Sequence, residues 1–274
     1  MSIRSIIFTI LSVVVFVPAA LGQAAEGKSK AKPATAKAIN VTGKWNTNVA
    51  GNQDLWLHQE GNIVWGMTPN WDAAPGELGN LVRGSWNDGR LILFYRDSYK
   101  GASGCGGAPM LLVMKSKGTA TRLDGIEFTA SGETPEKVFE RASPDSGPEF
   151  EYPYGAELKD CGSLPTHELA FDVNSDQLKG SEWSLLKSVA ELLKKETGIK
   201  IRILGHTDST GDATKNKDLS QRRAESVKKV LAQKYGADEK RISTKGWGDE
   251  QPLVTNDTEE GRAMNRRVEI TVAR

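Results

Sequence analysis

The 274-residue sequence is poor in the side chains that most often carry chemistry, with two cysteines and three histidines, His58, His167 and His206. Three scattered histidines, without a His-Glu-x-x-His segment or a paired Cys/His cluster, supply a zinc site poorly. No Gly-x-Ser-x-Gly elbow offers a serine nucleophile. Excess charge is lacking too: 36 Lys and Arg stand against 35 Asp and Glu. No net field draws such a chain to nucleic acid or to an anionic membrane, so recognition must be local.

Long apolar runs are equally scarce. The run from Ile6 to Val17 follows Arg4 and precedes Pro18-Ala-Ala-Leu-Gly22, the basic, apolar and small-residue regions of a secretory signal peptide. It is shorter than the roughly 20 apolar residues of a membrane-spanning helix. We therefore expect a leader over residues 1–24, cleaved after Gly22 or Ala24, with no cysteine after it to carry a lipid anchor. Export into an oxidising compartment gives Cys105 and Cys161 a first reading as one disulfide, with two buried free thiols as the alternative.

Residues 25–40, including EGKSKAKPATAKAI, mix Lys, Ala and Pro without apolar periodicity and read as a flexible basic tether. From 41 to about 160, short β-rich runs alternate with Gly and Asn, as in Asp54–Gln59 and Ile63-Val-Trp65 around Glu60-Gly-Asn62. That is hairpin patterning. Gly-x-Trp-Asn occurs at Gly43–Asn46 and again at Gly84–Asn87, suggesting two similarly built strand ends. Trp45, Trp56, Trp65, Trp71 and Trp86 lie here, as core or, alternatively, as a sugar-stacking platform. The expectation is an all-β sandwich or barrel-like module of unknown ligand, which resembles small lipocalin-like domains in its hairpin style. A membrane-spanning barrel would need strands of about ten residues, and these runs are shorter. Residues Thr134 to Gly155 carry four Pro and read as a loop-rich connector.

The periodicity then changes. Leu169, Phe171 and Val173 alternate as a strand, and Trp183, Leu186, Val189, Ala190 and Leu193 recur at helical spacing after Ser181, a plausible cap. Ile199, Ile201 and Ile203 alternate toward Gly205-His-Thr-Asp208. A second helix, beginning near Asn216, carries Leu219, Ala224, Val227 and Leu231 on one face and stops at Gly236. Strands at Ile242 and at Val268, Ile270 and Val272 complete a β-α-β-α-β-β order over 164–274, making the chain α+β with two domains.

Phe171-Asp-Val-Asn-Ser175, Gly205-His-Thr-Asp-Ser-Thr-Gly211, Asn216, Leu219-Ser220, Arg223-Ala224, Val227 and Asn265-Arg-Arg-Val-Glu-Ile270 together resemble the OmpA-like peptidoglycan-binding domain family over about a hundred residues. The resemblance implies noncovalent binding of the diaminopimelate of the peptide stem by an Asp after the second strand and an Arg on the next helix. By position these are Asp208 and Arg223, with Thr207, Asn216, Asn265 and Arg266 around them and Asp172 and Asn174 at the first strand's end. It implies no cofactor; peptidoglycan would be the partner in the periplasm, with outer-membrane components beside it.

The chemistry agrees, because diaminopimelate ends in a zwitterion that an anion and a fork-shaped cation a few ångström apart can read as a unit. Structural alternatives stand beside each role. Asp208 could close an Asx-turn, Arg223 could be a solvated helix residue beside Arg222, Asn216 could be the helix N-cap, and Arg266 could neutralise Glu260 or Glu269. Two other functions compete: a cell-wall hydrolase using His206 and Asp208, and an N-terminal module that binds lipid, sugar or protein while the C-terminal half only localises it.

Overall fold

A computed structural model describes residues 39–47, 54–68, 80–87, 89–95, 110–116, 121–129, 132–133, 137–144, 152–172, 174–180 and 183–273. The expected leader, nearly all of the tether, Trp71, Cys105, Val173 and Ser181 lie outside these residues.

The first half contains β1 (Gly43–Thr47), β2 (Leu55–Glu60), β3 (Ile63–Thr68), β4 (Asn80–Asn87), β5 (Arg90–Tyr95), β6 (Met110–Ser116), β7 (Arg122–Thr129), β8 (Gly132–Glu133) and β9 (Lys137–Ser143). The order is β6-β5-β4-β3-β2-β1-β9-β7-β8, and β6 also pairs with β7. Eight antiparallel strands therefore close into a barrel, with β8 attached beside β7. The stretch read as a connector supplies β9, whose pairing with both β1 and β7 completes the closure.

Alternation decides which side chains fill the barrel. Trp45, Leu55, Leu57, Val64, Val82, Leu91, Leu93, Met114, Leu123 and Phe139 form its interior cluster. The Trp45 indole donates to the Val41 carbonyl at 2.8 Å, which makes this tryptophan core. Trp56 and Trp65 instead pack from the outer face against a separate cluster. A membrane-spanning barrel has the opposite arrangement, a polar lumen inside an apolar girdle.

The second half contains α1 (Tyr154–Cys161), β10 (Ser163–Thr166), α2 (Ser184–Lys195), β11 (Ile201–His206), α3 (Ala213–Gln233), β12 (Ile242–Gly248), α4 (Glu259–Asn265) and β13 (Val268–Val272). Its sheet runs β10-β13-β11-β12; β11 and β12 are parallel, and β13 is antiparallel to β10 and β11. Leu185, Leu186, Val189 and Leu193 of α2 and Ala224, Val227 and Leu231 of α3 pack on Ile201, Ile203, Ile242, Val268 and Ile270. Two glycines let α3 approach the sheet: a Cβ on Gly205 would meet the Ser220 carbonyl oxygen at 2.1 Å, and one on Gly246 the Gln221 nitrogen at 2.4 Å.

Three expectations are corrected. The first strand of this sheet is Ser163–Thr166, not the Leu169–Val173 run. Its Pro165 is tolerated because β10 is an edge strand, whereas Phe171 bridges back to Leu178 in a tight reversal with Asn174 at φ 56°. The second helix begins at Ala213, capped by Asp212, whose side chain accepts from Lys215 N; Asn216 is thus inside the helix. Helix α2 has Trp183 at its N-cap with no side-chain capping bond. Helix α1 lies before the boundary expected near residue 160, yet its Tyr154 and Leu158 join the core of the second half. Cys161, the last residue of α1, is disulfide-bonded.

The outer face of the barrel packs on the second half. Ile92, Phe94, Val113 and Phe128 contact Ala263 and Met264 of α4 in one cluster. Arg83 of β4 is 1% exposed and donates to both carboxylate oxygens of Glu157 at 2.8 and 3.1 Å, to the Glu168 carboxylate at 3.2 Å and to the Pro165 carbonyl at 2.8 Å. Burial opposes its charge, and Glu157 and Glu168 outweigh burial, holding its pKa above the ordinary value.

Candidate functional site

A cavity opens where the loop before α2, helix α3, helix α4 and the β4–β5 hairpin meet; Leu169, Ala170, Phe171, Arg223, Ala263 and Arg266 are among its lining residues. Arg223 reaches it from the third turn of α3. Its Nε donates to the Ser175 carbonyl at 3.0 Å and one Nη to the Asp172 carbonyl at 3.3 Å. Its guanidinium carbon stands 5.0 Å from the centre of the Phe171 ring. The reversal at Asn174 thus has a chemical consequence: it turns two backbone carbonyls and one aromatic face toward Arg223. No carboxylate among the described residues forms an ion pair with this guanidinium.

Asp208 follows β11. One carboxylate oxygen accepts from Thr210 N at 2.8 Å, closing the Asx-turn considered above, and the other accepts from Arg266 Nη1 at 2.6 Å. Turn closure and ion pairing therefore coexist in one side chain. Asn216 donates to the Asp208 and Thr210 carbonyls at 3.3 and 3.1 Å, so it braces the loop from within α3. Arg266 also donates to Glu259 at 3.0 Å, and neither Glu260 nor Glu269 is its partner.

Residues 170–266 match the model of the OmpA family. The outer-membrane lipoprotein YfiB of Pseudomonas aeruginosa is 38% identical over 120 residues, which cover 43% of this chain and 71% of that protein. The chain belongs to the OmpA family. Outer membrane porin F of the same organism is 37% identical over 105 residues, 38% of this chain and 30% of that protein, so the chain spans less than a third of this relative. Among solved structures, the peptidoglycan-associated lipoprotein from Burkholderia pseudomallei is similar at 29% identity over 40% of this chain and 89% of that one, with a TM-score of 0.36.

Electrostatics within the OmpA-family half divide the three charged groups. For Asp208, burial pushes the pKa up, but the hydrogen bonds from Arg266 and Thr210 prevail and hold it below the ordinary carboxylate value. For Arg266, burial is outweighed by Asp208 and Glu259, and its pKa is raised. Arg223 shifts the other way, lowered by burial and then by the neighbouring Arg266 charge. It is the cation of the three whose charge the protein leaves least compensated. An anion placed against it would relieve both penalties.

The other expected site residues divide. Thr207 is 5% exposed, with its hydroxyl unpartnered among the described residues. Asn265 is wholly buried: its oxygen accepts from Leu253 N and Val254 N, and its nitrogen donates to the Val254 carbonyl and Asn256. It holds the loop before α4 rather than facing the cavity, because α4 turns its last residue inward. The Asp172 side chain points out to Lys179, 2.9 Å away, and is 70% exposed; only its carbonyl serves Arg223. Asn174 is exposed and shapes the turn.

Glu259, the bridge between Arg266 and the barrel, went unnoticed in the sequence. Thr258-Glu-Glu260 carries a helix-start signal, an N-cap threonine followed by acids, that could have revealed α4. Arg90 and Lys179 also line the cavity, and no local pattern marks them.

Proposed function

We propose that the OmpA-family half binds peptidoglycan noncovalently through the diaminopimelate of its peptide stem and anchors an exported envelope protein to the wall. In this reading the chain has a leader (1–24), a tether (25–40), a barrel domain that begins at residue 41, and a wall-binding domain of residues 164–274 to which helix α1 adds its buried face. It works in the periplasm, near outer-membrane components. The observation that carries the reading is that Arg223 and Arg266 line one cavity from separate elements, with Asp208 held against Arg266 at 2.6 Å and no carboxylate among the described residues paired with Arg223.

The zwitterion explains why both signs are required. Arg223 Nη1 makes no hydrogen bond to a described residue and would take the ligand carboxylate. The lone pairs of Asp208 that Arg266 and Thr210 leave unused would accept the ammonium. We read this as binding without cleavage. His206 is 2% exposed, and burial with the Arg267 charge lowers its pKa to about 3, so it is neither accessible nor basic at neutral pH.

Co-sedimentation with purified sacculi tests the proposal. A charge-assisted hydrogen bond contributes about 1.5–3 kcal/mol, so Asp208→Asn and Arg223→Ala should each weaken binding about tenfold or more. Arg222, about 100° away around the helix, pairs with Asp218 and Asp176 and is the control. Equal loss in Arg222→Ala, or undiminished binding in Arg223→Ala, would defeat the assignment, as would release of soluble muropeptides by the unaltered protein.

A further inference from the structure

One wall of the cavity comes from the barrel. Asn87, Arg90 and Ile92 of the β4–β5 hairpin line it together with Phe171 and Arg223. Asn87 and Arg90 are directly paired and Gly89 takes φ 77°, so the register sets Asn87 and Arg90 side by side at the hairpin tip. The tip is tied down. Asn87 donates to Ser85 at 2.8 Å and to the His167 carbonyl at 3.3 Å, while Ile92 is held in the cluster with Ala263 and Met264.

Among the described residues the lining is one-signed. Arg90, Lys179, Arg223 and Arg266 contribute four cations, and no Asp or Glu stands with them among the described lining residues. Countercharge around the rim is unevenly shared. Lys179 has Asp172, and Arg266 has both Asp208 and Glu259. Among the described residues Arg90 reaches only the Glu259 oxygen that Arg266 already holds, at 3.7 Å against 3.0 Å. Its Nε is buried with no hydrogen-bond partner among the described residues, and its side chain is 22% exposed. A zwitterion bound by Asp208 and Arg223 brings one carboxylate for Arg223 and leaves Arg90 uncompensated.

We infer that Arg90, steadied by Asn87, binds a second carboxylate of the ligand, so that the barrel is part of the recognition site and selects acidic over amidated peptide stems. The inference rests on the stem-peptide reading above. It assigns the β4–β5 hairpin a role that the OmpA-family half alone cannot supply, because residue 90 lies outside the matched region 170–266.

The test uses the full chain and two synthetic tripeptides, L-Ala-γ-D-Glu-diaminopimelate and the same tripeptide amidated at the D-Glu α-carboxyl, in titration calorimetry. The unaltered protein should prefer the acidic tripeptide by about tenfold, the worth of one charge-assisted contact. Arg90→Gln should lose that preference while binding the amidated peptide as the unaltered protein does, and Arg90→Lys should keep part of it. Equal affinity of the unaltered protein for both tripeptides would overturn the inference. So would an equal loss of both in Arg90→Gln, which would mean that Arg90 only positions Arg266 through Glu259. Arg223→Ala separates the two levels: if it leaves binding of both peptides intact, the stem-peptide reading itself is at fault.

Discussion

Replacing Arg83 by Met should uncouple the barrel from the rest of the chain. Arg83, Glu157 and Glu168 are all at most 1% exposed, so the substitution removes four hydrogen bonds and leaves two carboxylates buried without their cation. Removing one partner of a buried ion pair costs about 3–5 kcal/mol, a large part of the roughly 5–15 kcal/mol that stabilises a folded protein. At about 2–4 °C per kcal/mol for a chain of this size, Tm should fall by roughly 6–20 °C. Urea unfolding followed by tryptophan fluorescence should show the loss, with signals from Trp45 in the barrel and Trp183 beside α2. The triple substitution Arg83→Met, Glu157→Gln, Glu168→Gln should regain most of it. Neutral amides no longer require a cation, and Tyr152, Thr166 and His167 N already donate to the two carboxylates. A midpoint shift of less than about 1 kcal/mol in Arg83→Met, or a triple variant as weak as the single, would refute the view that buried charge pairing joins the halves.

Acid should destabilise the fold before the carboxylates titrate. His167 and His206 have pKa values lowered to about 3, by burial above all, against about 6.5 unfolded. The unfolded chain therefore binds more protons, and stability present above pH 6.5 is lost toward pH 3, at up to about 1.4 kcal/mol per pH unit for each histidine. Chemical denaturation between pH 7 and pH 4.5 should show this slope, reduced by about half in His167→Gln, whose amide can still donate to the Met264 carbonyl as the ring does. Gly205→Ala should push α3 off β11, costing about 1–3 kcal/mol by overpacking and weakening sacculus binding because Arg223 rides on that helix; an unchanged melt would argue against the close approach. A Cys105–Cys161 bridge closes a loop of about 57 residues, so its reduction should cost about 4 kcal/mol. Two alkylatable thiols in the unreduced folded protein would exclude the bridge.

Periodicity and motif spacing made most of the second half legible before any coordinates. Apolar positions at helical spacing in α2 and α3 and alternation in β11 and β13 are local consequences of burying one face, and Gly205-His-Thr-Asp208 and Arg223 stand in the order along the chain that the family resemblance implies. Where expectation failed, tertiary context had overruled local pattern. Leu169 and Phe171 alternate like a strand, but the chain reverses at Asn174 to aim carbonyls at Arg223, and the true edge strand hides behind Pro165. Strand β9, read as connector, pairs with β7 at separations of 12 to 18 residues and with β1 at 92 to 99, and no local window contains the second partner. The barrel's outer face is apolar at Ile92 and Phe94 because another half of the chain covers it, so alternation alone could not separate inside from outside. Sequence by itself determined the family, helices α2 and α3 and the residue types that suit a zwitterion. Only the tertiary structure decided that Arg266 holds Asp208, that Arg223 pairs with no carboxylate among the described residues, and that Arg90 lines the same cavity, because proximity between residues far apart in the chain is a property of packing.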